Sequence, residues 1–321
     1  MFAPDFWDRD DAWSRLVVRA LSPIGSVYGA TVRWKSSHTI PYRASVPVVC
    51  IGNISAGGTG KTPVAMAIAH ALAAKGRHPF FLTRGYGGET PGPVLVDGHS
   101  ALEVGDEPLL LACVAPTVVS RRRAEGAKFA ATRGADVIVM DDGHQNFSLA
   151  KDISIIVVDA ERGFGNGRVL PAGPLREPVR QGLKRADAVI LVGNGSPSLA
   201  DFSGPVLRAR LEAIGEPFAG KRVMAFAGIG RPAKFFETLR AGGAEVVSVV
   251  PFADHHRYTN DEIELLKARA RDENAQLVTT EKDFARLSHA ARADVAVLPV
   301  KAVVAPATGL DRLLDSLRVP R

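Results

Sequence analysis

Cysteine is nearly absent from this 321-residue chain: Cys50 and Cys113 are the only two, each inside an apolar run, and they form neither a CxxC pair nor a disulfide framework. Both read as buried core thiols of a protein from a reducing compartment. No apolar stretch reaches the length needed to cross a bilayer, and Asp5, Asp8, Asp10 and Asp11 stand where a secretory signal would carry positive charge. The expectation is a soluble or peripheral cytoplasmic protein. Arginine-rich tails, zinc-ligand spacings and aromatic-basic modules are missing as well, which argues against nucleic acid as a partner.

What the chain does have is positive charge and β-branched runs. The net charge of +6 and a sequence pI near 9.5 favour an anionic partner, such as a nucleotide, a phosphorylated substrate or an acidic lipid headgroup. The length and an apolar content of 46% suffice for two α/β domains, each with its own core. Near the amino terminus, Trp13, Leu16, Val17, Ala20, Leu21 and Ile24 recur at helical spacing, flanked by Arg15 and Arg19. Trp7, Tyr28 and Trp34, with Arg33 and Lys35, add the ring-plus-cation composition of a helix in a membrane interface; packing on the first domain is the plain alternative.

The segment Val46–Ile51 predicts a short buried strand, and Pro63–Ile68 predicts a helix. Between them runs Ser55-Ala56-Gly57-Gly58-Thr59-Gly60-Lys61-Thr62, a P-loop with Ser in place of its first Gly. Such a turn points backbone N–H groups at phosphate oxygens, and the helix end favours the anion. Lys61 is placed to reach the β- and γ-phosphates of ATP, and the Thr62 hydroxyl to ligate Mg2+. A second run, Val137–Met140, ends in Asp141-Asp142-Gly143, as expected of a strand that delivers carboxylates for the metal beside the P-loop.

These segments occur in order with Arg84-Gly85-Tyr86-Gly87, Gly105-Asp106-Glu107-Pro108 and Asp141-Asp142-Gly143-His144-Gln145. Gly163-Phe164-Gly165-Asn166-Gly167-Arg168, Leu170 to Pro178, Asp254-His255-His256 and Thr279-Thr280-Glu281-Lys282-Asp283 follow. Together they resemble the tetraacyldisaccharide 4′-kinase family along nearly the whole chain. The family's Asp-Asp-Gly stretch usually continues with an apolar residue, Gln and His, where this chain has His144, Gln145 and Asn146.

The resemblance implies transfer of the ATP γ-phosphate to the 4′-hydroxyl of an acylated disaccharide 1-phosphate lipid, giving lipid IVA at the cytoplasmic face of the inner membrane. It makes Asp106 the candidate base, paired with His255 from a second domain; Glu107, next to Asp106, is a further metal candidate, with a plain surface carboxylate before Pro108 as the alternative. Arg84, Tyr86, Asn166, Arg168 and Arg176 become candidates for binding substrate, the three arginines because guanidinium groups hold phosphate bidentately. Arg121, Arg122 and Arg123 read as the solvated start of a helix.

The expected architecture is α/β: a P-loop NTPase-like parallel sheet flanked by helices, a second smaller α/β domain and an N-terminal amphipathic helix. Its regions are residues 1–35 (interface helix), 36–212 (kinase domain) and 213–321 (smaller domain), acting as a monomer. Two other readings are a P-loop kinase of a soluble small molecule and a GTP-binding switch. The switch would need an Asn/Thr-Lys-x-Asp segment, and in Thr280-Glu281-Lys282-Asp283 the Lys comes one place late.

Overall fold

The computed structural model describes residues 4–199 and 202–317. Residues 1–3 and 318–321, the ends of the first and third expected regions, lie outside the described residues.

After a helix α1 (Ala12–His38) come β1 (Val48–Gly52), α2 (Lys61–Ala74), β2 (Pro79–Thr83), β3 (Val94–Leu95), α3 (Ala101–Val104), α4 (Asp106–Ala112) and β4 (Thr117–Val119). Next are α5 (Arg123–Thr132), β5 (Val137–Asp141), β6 (Ile153–Asp159), α6 (Val179–Leu183), β7 (Ala188–Val192) and β8 (Val206–Ala213). A second unit holds β9 (Arg222–Ala227), α7 (Pro232–Ala241), β10 (Glu245–Pro251), α8 (Asn260–Asp272), β11 (Gln276–Thr280), α9 (Glu281–Arg286) and β12 (Val295–Leu298). The chain ends in β13 (Val300–Ala305) and α10 (Ala307–Asp315).

Apolar runs without polar alternation need cover on both faces of a sheet, and helices provide it. In β1, Val49 and Ile51 join one core with Val64, Ile68 and Leu72 of α2, while Val48 and Cys50 join the opposite core with Ala127 and Ala130 of α5. The large sheet has nine strands in the order β13-β8-β7-β6-β1-β5-β2-β4-β3. It is parallel from β8 to β4, with antiparallel β13 and β3 at its edges. β1 lies centrally between β5 and β6, so the P-loop emerges at the carboxyl edge, where ligands of such sheets bind. The second sheet is parallel, in the order β10-β9-β11-β12, between Phe235, Phe236 and Leu239 of α7 and Ile263 and Leu266 of α8.

The expected third region, 213–321, needs correction: the four-stranded unit ends at Leu298, and β13 crosses back to pair with β8, Val300 opposite Ala213 and Ala305 opposite Arg208. Ala302, Leu310 and Leu314 then close the α2 side of the larger core, and Lys75 reaches Asp311 and Asp315 at 2.9 and 3.0 Å. Without that return, apolar surface on β8 and α2 would stay open to water. A second correction concerns Cys113, which is exposed, whereas Cys50 is buried as expected.

Helix α1 runs well past Ile24. Asp11 caps it, accepting from the Ser14 N–H at 3.0 Å. It docks through Gly25 and Gly29: a Cβ at Gly25 would stand 2.7 Å from the Val169 carbonyl oxygen, and one at Gly29 would touch Pro178. The other face leaves Trp13, Leu16, Val27 and Trp34 exposed. No described helix is long and apolar enough to cross a membrane.

Candidate active site

The P-loop is fastened from inside and outside. The Asn53 amide donates to the Ser55 carbonyl at 2.6 Å and to Thr59 Oγ1 at 3.3 Å, and the Ala56 N–H donates to the Pro174 carbonyl at 2.7 Å. Gly57 and Gly60 take φ of 110° and 83°, angles that side chains resist, and Gly60 then caps α2. The Arg176 N–H bonds the Ile54 carbonyl at 2.7 Å, so the 170–178 segment props the loop from behind.

β5 delivers Asp141 beside this loop. The Thr62 hydroxyl donates to Asp141 Oδ2 at 3.3 Å, while Asp141 Oδ1 is buried without a hydrogen-bond partner among the described residues. Burial pushes the Asp141 carboxyl up, and the nearby Glu107 charge adds to it. An orphaned hard oxygen next to a hydroxyl fits a magnesium ion, which ordinarily takes one or two protein oxygens and completes its shell with phosphates and water. Among the described residues no group of three or more His, Cys, Asp or Glu side chains forms a metal cage.

The other two metal candidates are engaged elsewhere. Asp142, at φ 51°, receives Arg176 Nη1 at 2.8 and 3.0 Å and lies 3.7 Å from Lys61 Nζ. Burial would raise its carboxyl, but Lys61 and Arg176 outweigh burial and hold it low. Glu107 pairs with Lys282 of the smaller unit at 3.0 Å.

Asp106 opens α4 and is buried. Gly105 before it, at φ 91°, lies so close to the 84–88 turn that a Cβ would meet the Tyr86 carbonyl oxygen at 2.5 Å. The two loops therefore arrive together, and the Tyr86 ring stands edge-on to His255, 5.6 Å away. His255 Nδ1 is 3.4 Å from Asp106 Oδ2, so the expected pair meets across the two units. Arg286 joins it, with Nε and Nη2 at 2.7 and 2.5 Å from the same Oδ2. Burial alone would raise the Asp106 carboxyl; the His255 hydrogen bond and the Lys282 and Arg286 charges hold it well below the usual carboxylate range.

The remaining candidates divide. Arg84 is exposed at the end of β2. Asn166 is spent within its own turn, accepting from the Arg168 N–H and donating to the Ala172 carbonyl, both at 3.0 Å. Arg168 lies with Arg33 along a groove of about 350 Å³ between α1 and the 167–181 segment. Arg123 is not solvated: it is buried, Nη1 donates to the Ser120 carbonyl at 2.5 Å, and its charge helps lower Asp142. The Thr280–Asp283 segment reads no base; Asp283 is buried and accepts from the Gly228 N–H at 3.0 Å and the Tyr258 hydroxyl at 2.9 Å.

Sequence reasoning missed Arg286, Arg231 and Lys234. Lys282 and Arg286 are one helical turn apart, hence on one face of α9, but that spacing names no partner.

The family profile described as tetraacyldisaccharide-1-P 4′-kinase matches residues 17–318. A protein named tetraacyldisaccharide 4′-kinase from Paramagnetospirillum magneticum is 52% identical over 308 residues, 94% of each chain. Another of that name from Rhodospirillum rubrum is 49% identical over 332 residues, covering 100% of this chain and 99% of its own. The crystal structure of LpxK from Aquifex aeolicus in complex with ATP superposes with a TM-score of 0.76 at 26% identity, covering 94% of this chain and 100% of that one.

Proposed function

The chain belongs to the tetraacyldisaccharide-1-P 4′-kinase family, and on that premise we propose that it transfers the γ-phosphate of ATP to the 4′-hydroxyl of tetraacyldisaccharide 1-phosphate, forming lipid IVA. The observation that carries the site assignment is the meeting of Asp106 and His255, 3.4 Å apart from two different units, at the sheet edge that bears the P-loop. The hydroxyl oxygen attacks the γ-phosphorus, the bond to the β-phosphate oxygen breaks, ADP leaves, and the hydroxyl proton passes to Asp106. Asp106 held ionised is a weak base. That suffices, because the loose transition state of phosphoryl transfer asks little proton abstraction until bond formation is advanced.

The P-loop amides and Lys61 bind the phosphates, and Thr62 and Asp141 would hold the magnesium ion. When bound, that ion supplies positive charge against the phosphate oxygens. Arg176 keeps Asp142 in place and, with Arg84 and Tyr86, borders the cleft where the acceptor would lie. Since one chain supplies both sides of the cleft, a monomer suffices.

An acceptor with several acyl chains stays in the bilayer, so the enzyme must come to it. The exposed face of α1, with Trp13, Leu16, Val27 and Trp34 beside Arg15, Arg19 and Arg33, supports a peripheral position on the membrane face that meets ATP, the cytoplasmic one. The assay is incubation with labelled ATP, magnesium and the tetraacyl disaccharide 1-phosphate. Wild type should label the lipid, and Lys61→Ala and Asp106→Ala should each lose roughly 100-fold or more in kcat. An unlabelled lipid with wild type overturns the substrate, and full transfer by Asp106→Ala removes the base.

A further inference from the structure

Thr279-Thr280-Glu281-Lys282-Asp283 is a motif whose chemistry the phosphoryl transfer above does not use. Its structure is a strand end turning into α9, with Thr280 capping the helix. From that helix two cations cross to the larger unit: Lys282 to Glu107 at 3.0 Å, and Arg286 to Asp106. Asp283 between them is fully buried and fixes its own side of the contact, bonding Arg286 Nη1 at 2.9 Å as well as Gly228 and Tyr258. Arg286 Nη1 also donates to the Gly228 carbonyl at 2.7 Å. The guanidinium is thus held on one edge by the smaller unit and presents its Nε and Nη2 edge to one carboxylate oxygen.

The distribution of bonds on Asp106 is uneven. Oδ2 takes both Arg286 nitrogens and faces His255 Nδ1, whereas among the described residues Oδ1 takes only the Glu107 N–H, at 3.0 Å. A carboxylate oxygen offers two lone pairs, so Oδ2 is saturated and Oδ1 keeps one. We propose that Arg286 is a positioning residue for Asp106: by engaging Oδ2 from the opposite unit it turns the carboxylate so that Oδ1 accepts the acceptor's proton. The inference rests on the kinase reading above and deepens it. It also makes the base competent only while α9 is docked on α4, because among the described residues no side chain of the larger unit holds Oδ2.

The experiment is a double-mutant cycle between Arg286→Ala and Asp106→Asn, with Arg286→Lys as the conservative variant. It is read both by transfer to the tetraacyl disaccharide 1-phosphate and by slow hydrolysis of ATP, in which water takes the acceptor's place. Arg286→Ala should lower kcat about 100-fold, the usual cost of a misaimed group, with KM for ATP within about threefold. Arg286→Lys should recover at least about tenfold of the loss. In the Asp106→Asn background Arg286→Ala should add little, because both changes act on one event. Additive losses, an unchanged kcat, or a fall in kcat that Arg286→Lys does not relieve would each overturn the inference. If wild type hydrolyses ATP but labels no lipid, the substrate reading fails alone, and the hydrolysis cycle still decides the role of Arg286.

Discussion

His144 shows how a single position can tie stability to pH. It occupies a place that is usually apolar in the family it resembles, and it is fully buried, Nδ1 3.1 Å from the Ser154 hydroxyl and Nε2 3.1 Å from the Gly182 carbonyl. Burial first, then the Arg185 and Lys151 charges, push its pKa down from 6.5 to about 3. In the unfolded chain the ring binds a proton once pH falls below 6.5, and in the folded protein it does not. Stability is therefore full above pH 6.5 and drains away toward about pH 3, by an amount on the order of several kcal/mol. Melting temperatures of wild type and His144→Phe across pH 7 to 4 check this: the wild-type curve should fall more steeply, and parallel curves would refute it. The same residue-scale reading explains what was hidden in the site. Lys61, Thr62 and Asp141 lie in short local patterns that carry their chemistry with them, whereas the resemblance pointed to Asp106. Arg286 acts on a carboxylate 180 positions away, and no local pattern records a partner at that distance.

At the scale of elements, most of the architecture was legible because its signals are local. β5 spans the Val137–Met140 run expected of it and ends on Asp141, and α2 contains the Pro63–Ile68 helix. The return of β13 was not legible. Its residues follow β12 after one proline, and an edge strand alternating between buried and exposed looks like one more strand of the smaller unit. Which sheet it joins depends on apolar surface left by α2 and β8, far back in the chain. Helix α1 depends on a comparable long-range fit. Its close approach at Gly25 leaves no room for a side chain, so Gly25→Val should force the helix off the Val169 backbone, costing about 1–3 kcal/mol. Measured by thermal denaturation and by flotation with anionic vesicles, the variant should melt lower and, its helix displaced, transfer phosphate to the lipid more slowly while hydrolysing ATP at the wild-type rate. Loss of both activities together would mean that α1 supports the whole fold and not the approach to lipid.

The whole molecule is two α/β units clasped on either side of the P-loop. One clasp is the α4–α9 contact already described. The other is Asp159 at the end of β6, whose Oδ1 accepts the Glu161 and Arg162 N–H groups at 3.1 Å while Oδ2 meets Arg231 and, at 3.5 Å, Lys234 of the smaller unit. Lys234 also reaches Glu161 at 2.6 Å. Between the clasps the Gly228–Gly230 turn lies over the P-loop, close enough that a Cβ on Gly230 would stand 3.3 Å from the Gly58 nitrogen. The two clasps then have separable consequences. The first touches Asp106, the proposed base, so loosening it should cost turnover; the second touches none of the proposed reacting groups and keeps the Gly228–Gly230 turn over the P-loop. Removing both cations in Arg231→Ala/Lys234→Ala leaves Asp159 a largely buried charge without its partners, a cost of about 1–2 kcal/mol given that the lost groups are about a third exposed. That corresponds to a rise in KM for ATP of roughly 5- to 30-fold with kcat changed far less, since closure must be supplied by nucleotide binding energy. Steady-state kinetics at low and high salt distinguish this from a loss of charge steering: the increase over wild type should shrink as salt weakens the native clasp. A variant with unchanged KM would mean that the smaller unit stays over the P-loop without its second clasp.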